Sequence, residues 1–328
     1  MFKKMLGLAA LSSLLLFACK KTDRVLTDSE QLAELSQAGR QCASFEVLQQ
    51  QLKEDPSLQK RMDEIEAFTN RILQSSDLNT VLSDGTLELP VHVNVIYRTS
   101  GENVSNAQIQ SQIDVLNEDF GATNADYNTP NVYQSVRSGD IKIRFVWTTS
   151  KVTRRETKKV SWQTNNDMKR TAKGGIDPTS PSNTLNIWVC NLSNSILGYA
   201  QFPGGSSSTD GVVIDNNAFG RGSYSLFTNF NKGRTATHEV GHYFGLRHIW
   251  GDATCGNDQV NDTPQHNTAN YGCPASNHTS TCGGTPVEMT MNYMDYTDDR
   301  CMYMFTQLQK SRMQTTYAVG GSRSGLRQ

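Results

Sequence analysis

The sequence has almost no charge of one sign to spare. Its 328 residues carry 31 Lys+Arg against 32 Asp+Glu, a formal net charge of −1. Binding to nucleic acid wants a clustered basic excess, and this balance makes no case for one. Apolar residues are lean at 36%, yet 12 Phe, 11 Tyr and 4 Trp can fill a core, which excludes disorder throughout. Cysteine is too sparse for a disulfide scaffold. There are seven, an odd number, so at least one does something other than pair within the chain. No C-x-x-C pair occurs, which argues against a cysteine-ligated structural zinc site. Beyond the first residues no run approaches the ~20 apolar positions of a spanning helix, and no internal repeat is visible.

What is present begins with an export signal. Lys3 and Lys4 precede an apolar run over 5–17 that is too short to span a bilayer. Leu16-Phe17-Ala18-Cys19 resembles a bacterial lipobox, in which Cys19 is lipidated and becomes the mature N-terminus. The alternative is an ordinary signal peptide cut nearby. Either way the protein leaves the cytoplasm, as a secreted, periplasmic or outer-surface protein that a lipidated Cys19 would at most anchor, and disulfides become permissible.

A change of texture divides the remainder. Residues 20–85 are rich in Gln, Ser, Glu and Leu, with apolar residues at helical spacing (Leu32, Leu35; Phe45, Leu48, Leu52; Met62, Ile65, Phe68), and read as a helical pro-segment. Ser83-Asp84-Gly85 marks a turn. Strands are expected over 87–97, 141–147, 184–190 and 211–214, and helices over 106–120, 234–245 and 306–317. Loops dominate after Trp250. The pattern predicts an α/β (α+β) catalytic domain over 86–320: a twisted mixed sheet with a helix above it (86–248), then an irregular lower subdomain (249–320).

The strongest chemical signal is HEVGHYFGLRH, residues 238–248. His238 and His242, four apart on a helix, project from one face a turn apart. Gly245 lets the chain leave the helix, and His248 swings back as a third nitrogen ligand. Three protein ligands leave a fourth position for water, the arrangement of a catalytic zinc. Glu239, beside the ligands, can take a proton from that water and pass it to a leaving amine. His92, His266 and His278 carry no such spacing and read as packed or solvated.

This long motif followed by a Met-turn is the metzincin signature. Asn292-Tyr293-Met294-Asp295-Tyr296 resembles the Met-turn of the pappalysin family, which includes ulilysin-like and cytophagalysin-like peptidases. Residues 112–120 (QIDVLNEDF), 185–192 (LNIWVCNL), 233–252 (GRTATHEVGHYFGLRHIWGD), 260–264 (VNDTP), 271–274 (YGCP) and 301–307 (CMYMFTQ) look like that family too. The resemblance covers about 86–318. It implies a zinc endopeptidase acting on proteins or peptides, made as a zymogen, with monomer as the default state. It also implies that Met294 lies beneath the zinc and that Tyr296 stabilises the oxyanion. Asp299 would floor a pocket preferring Arg or Lys after the scissile bond. A zinc amidase or exopeptidase, or an inactive surface adhesin, are the rival readings.

Cys255, Cys273, Cys282 and Cys301 allow three connectivities. The resemblance favours Cys255–Cys282 with Cys273–Cys301. Asp258, Val260, Asp262 and Thr263 offer hard oxygens in a tight loop, a candidate calcium site of the kind the family commonly has. Cys190, in an apolar strand, reads as a buried inert thiol. Cys42 lies in the pro-segment, where a thiolate could take the fourth zinc position and keep the precursor silent. Removal of that segment needs a cut between about Lys60 and Asp84, with Arg61 and Arg71 as candidate sites.

Overall fold

The computed structural model describes residues 39–75 and 85–327. Cys19, the export signal and the helix expected around Leu32 and Leu35 lie outside the described residues.

Two helices come first. α1 (Ser44–Glu54) and α2 (Ser57–Leu73) confirm the 3.6-residue pattern read from Phe45 to Phe68. β1 (Leu87–Tyr97) and α3 (Asn106–Phe120) follow, with Ser105 capping α3 by accepting the Gln108 N–H. β2 (Ile143–Val146), β3 (Val152–Glu156), β4 (Leu185–Cys190), β5 (Gly198–Ala200) and β6 (Val212–Asp215) complete the strands. α4 (Arg234–Tyr243) and α5 (Gln307–Tyr317) are the remaining α-helices among the described residues.

The sheet order is β2-β1-β4-β6-β5. β1 pairs in parallel with β2 through its first half and with β3 through its second, so two short strands share one edge. β1, β4 and β6 are parallel neighbours, and β5 runs antiparallel to β6 at the far edge. All six residues of β4 are buried, as expected for a parallel strand covered on both faces. Leu185, Ile187 and Val189 join Ile109, Ile113, Leu116 and Phe120 of α3 and Ala236 and Val240 of α4 in the main core. Trp188 and Cys190 face a second cluster with Tyr199, Met168 and Trp162. Removing a core ring such as that of Phe120 would cost about 3–5 kcal/mol.

β5 and β3 escape sequence reading for opposite reasons. Gly-Tyr-Ala is too short to show a period, and VTRRE has no apolar alternation to show. Both form because a neighbouring strand supplies the hydrogen bonds.

Beyond α4 the chain is irregular up to α5, as expected, and α5 opens with a Thr306/Gln309 capping box. Two disulfides staple the loops: Cys255–Cys282 (Cα–Cα 5.6 Å) and Cys273–Cys301 (5.7 Å). Cys42 and Cys190 are free and buried.

The N-terminal segment packs along β5 and α5. Residues 41–43 add to the free edge of β5, with the Leu197 N–H donating to the Gln41 carbonyl and the Ala43 N–H to the Gly198 carbonyl (2.9 and 3.1 Å). α2 then lies against α5, where Glu66 pairs with Arg312 and the Thr69 and Thr315 hydroxyls meet. Arg61 sits inside α2 and donates to the Gly204 carbonyl, whereas Arg71 is exposed in the last turn of that helix.

Candidate active site

α4 presents His238 and His242 on one face, and the chain then turns at Gly245, which has φ +84°. L side chains resist that conformation, so glycine here is a backbone requirement. The turn brings back His248. His242 Nε2 lies 3.2 Å from His238 Nε2 and 3.1 Å from His248 Nε2. Two imidazole nitrogens this close cannot both carry protons.

Each ring is oriented through its other nitrogen. Nδ1–H of His238 donates to the Tyr293 carbonyl, that of His242 to the Leu246 carbonyl (2.7 Å each), and that of His248 to Asp252 Oδ1 (2.5 Å). Three Nε2 lone pairs therefore point at one place. Burial, then mutual repulsion, holds His238 and His242 well below the usual imidazole range, so both are neutral ligands. The Cys42 thiol completes a buried set whose four donor atoms lie within 4.8 Å of one another. Three bare imidazole nitrogens beside a sulfur are a donor set that fits zinc.

Met294 packs its sulfur against α4 at Gly241. A Cβ on Gly241 would sit 2.5 Å from the Met294 sulfur, so the glycine between His238 and His242 is needed for close approach. The turn is pinned from α3: Asp119 accepts from the Tyr293 and Thr237 hydroxyls (2.7 Å each), tying Met-turn and α4 together. Burial pushes Asp119 up to about 6.

Glu239 is buried, and desolvation pushes its carboxyl up to about 7, a value suited to exchanging protons near neutrality. Its Oε2 accepts from the Ser44 hydroxyl at 2.8 Å, and the Cys42 sulfur is at 3.4 Å. The same Ser44 oxygen accepts the Ala200 N–H (2.8 Å), bridging the carboxylate to β5. The Tyr296 hydroxyl donates to the Cys42 carbonyl at 2.9 Å. Its ring packs edge-on against His248, and Trp250 stacks flat on that imidazole at 4.4 Å.

Asp299 is fully buried at the start of α4. One oxygen accepts the backbone N–H groups of Lys232 and Arg234 (2.8 and 3.2 Å), and the other takes Arg40 at 2.6 Å. The Arg40 guanidinium also donates to Thr235 Oγ1 (3.0 Å) and the Thr297 carbonyl (3.3 Å) and lies over Phe230. Of the residues gathered here, Arg40, Ser44, Thr235, Phe230, Asp252 and Gly241 were not singled out by sequence reasoning. Of these, Asp252, four residues after a ligand histidine, offered a local signal.

The four candidate calcium residues divide. Asp258 accepts from the Thr263 hydroxyl (2.8 Å to Oδ2) and the Val260 N–H (3.0 Å), and Thr263 Oγ1 lies 2.7 Å from the Val260 carbonyl oxygen, so three sets of oxygens converge. The Asp262 carboxylate instead anchors α5, accepting from Thr306 Oγ1 and Leu308 N. His266 is buried and accepts the Met289 N–H, His92 meets Thr153, and His278 lies near Glu288 at 3.6 Å. None of the three joins the ligand set.

The family model described as pregnancy-associated plasma protein-A matches residues 180–318. An extracellular metalloprotease of Arthroderma otae is 32% identical over 238 residues, 70% of this chain and 78% of that protein. One from Verticillium alfalfae is 34% identical over 238 residues, 69% and 75%. The chain belongs to the pappalysin family of metallopeptidases. Among solved structures, a Tannerella forsythia promirolysin mutant superposes with a TM-score of 0.79 at 38% identity, over 88% of this chain and 97% of that one. Mature mirolysin in complex with a cleaved peptide gives 0.70 at 42%, over 74% and 96%. The disulfide pairs that the resemblance implied, Cys255–Cys282 and Cys273–Cys301, are the pairs present in the fold.

Proposed function

We propose that this pappalysin is an exported zinc endopeptidase, secreted or anchored through Cys19, that cleaves before Arg or Lys and is kept latent by residues 40–44. Relatives named extracellular metalloproteases support export, and the promirolysin neighbour supports a zymogen. The carrying observation is that Arg40 and Cys42, from the non-helical residues before α1, and Ser44, the first residue of α1, meet Asp299, the histidine set and Glu239 respectively.

His238, His242 and His248 would hold a zinc ion, whose Lewis acidity would make a water molecule and the scissile carbonyl reactive. Glu239 takes a proton from the attacking water as the C–O bond forms. It then delivers that proton to the amine as the C–N bond breaks. The Tyr296 hydroxyl, which holds the Cys42 carbonyl here, donates to the developing oxyanion. Asp299 receives the guanidinium or ammonium of the residue after the scissile bond, in the place Arg40 fills.

Chain direction explains why the inhibitory stretch is not itself a substrate. A substrate with its carbonyl at the histidines and its next side chain at Asp299 runs from the histidines toward Asp299. Residues 40–42 run the other way and pair in parallel with β5 through Cys42 and Gly198. The thiol and the Ser44 hydroxyl, in place of a scissile carbonyl and water, then fill the centre. Asp258, Val260 and Thr263 form the proposed calcium site, with the Asp262 side chain bracing the loop against α5.

The test is hydrolysis of a quenched peptide with Arg after the intended bond. The full chain should be silent, the zinc-loaded chain freed of its N-terminal segment active, and its Glu239→Ala counterpart inactive. Absence of cleavage by the freed, zinc-loaded chain would reject the reading.

A further inference from the structure

The three ligand imidazoles are not held alike. His238 and His242 donate to neutral backbone carbonyls, whereas His248 donates to a carboxylate at 2.5 Å. We propose that Asp252 is the positioning residue of the metal centre, fixing the His248 tautomer and enriching its Nε2 so that this ligand sets the affinity for zinc.

The local backbone is shaped around that contact. Gly251 and Asp252 both adopt left-handed conformations (φ +62° and +56°), which fold the chain back within four residues of His248. Asp252 holds this conformation although non-glycine residues disfavour it. At Gly251 a Cβ would fall 2.3 Å from the Asn257 nitrogen, so the tight turn admits no alternative course. The Asp252 side chain is 13% exposed and that of His248 1%. Trp250, stacked within 6° of parallel on the imidazole, closes the other side. Ring plane and tautomer are thereby set from outside the ligand set, as in carboxylate–histidine–metal arrangements whose disruption weakens metal binding.

A turn residue with no influence on the metal would predict something different, and two variants separate the cases. Asp252→Asn keeps an acceptor oxygen and removes the charge; Asp252→Ala removes both. The measurement is the zinc dissociation constant of the full chain, by competition with a chelator of known affinity, beside the melting temperature of the metal-free chain. The proposal expects a loss of about 10- to 100-fold for Ala, a smaller but measurable loss for Asn, and unchanged metal-free melting. Cobalt-substituted protein should show a shifted d–d band in both variants. Wild-type zinc affinity in the Ala variant would overturn it, as would a loss fully matched by lower metal-free stability. The inference rests on the zinc reading, and the wild type tells the two apart. If wild type binds no zinc, that reading fails; if it binds zinc and the variants bind equally, only the role of Asp252 fails.

Discussion

Arg40 and Asp299 form an ion pair at 2.6 Å with side chains 1% and 0% exposed, 259 residues apart in sequence. Buried charges of this kind are stable only when their remaining hydrogen-bonding capacity is met. Here Thr235, Thr297 and the N–H groups of Lys232 and Arg234 meet it. The N-terminal segment thus places a guanidinium on Asp299, where the proposed function puts the basic side chain of a substrate.

Cys42→Ala in the full chain removes the sulfur from the histidine set. The precursor should hydrolyse peptide measurably, or lose its N-terminal segment sooner than wild type, in a quenched-peptide assay and a maturation time course. Unchanged latency would remove Cys42 from the account.

Ser44→Ala frees Glu239 from its 2.8 Å hydrogen bond. A hydrogen bond to a charged group contributes about 1.5–3 kcal/mol, so basal activity of the precursor should rise by roughly ten- to a hundredfold. The mature enzyme, which lacks Ser44, provides the ceiling. No change in the precursor would mean that the hydroxyl does not restrain the base.

Calcium removal with zinc retained should lower the melting temperature. Each kcal/mol lost shifts a domain of this size by about 2–4 °C, and a site saturated at 100 times its Kd contributes about 2.7 kcal/mol. The shift should vanish in Asp258→Asn, because the converging oxygens lose their charge. An equal shift in that variant would place the ion elsewhere.

Lys169 gives a pH dependence. Its amine is buried, donates to the Thr209 carbonyl at 2.7 Å, and is drawn down by desolvation from 10.5 to about 7. Between these values the unfolded chain binds the proton and the folded chain does not, so this residue makes stability rise with pH from about 7 to 10.5. The slope approaches about 1.4 kcal/mol per pH unit. Lys169→Met should remove that slope when denaturant unfolding is compared at pH 7 and 9. An identical slope would show that the amine stays charged.

Much of this was legible in sequence because it is local. β1 and α3 occupy 87–97 and 106–120 as their periods predict, and the histidine spacing specifies its own geometry. What was not legible depends on distant partners. β5 exists because β6 pairs with it, and Ser44 has meaning only against Glu239, 195 residues away. Asp299 was readable as a pocket floor by resemblance, but the arginine that fills it was not. Arg40 belongs to a helical-looking stretch, and nothing nearby marks it as extended or buried.

The most direct test compares cleavage before Arg with cleavage before Leu, in one peptide framework, by the mature enzyme and its Asp299→Asn variant. Asn keeps an acceptor for the Lys232 and Arg234 N–H groups while removing the charge. Wild type should favour Arg, and the variant should lose at least about thirtyfold of that ratio, as truncating one partner of a buried charged pair does. Equal cleavage before Arg and Leu by the wild type would contradict the account.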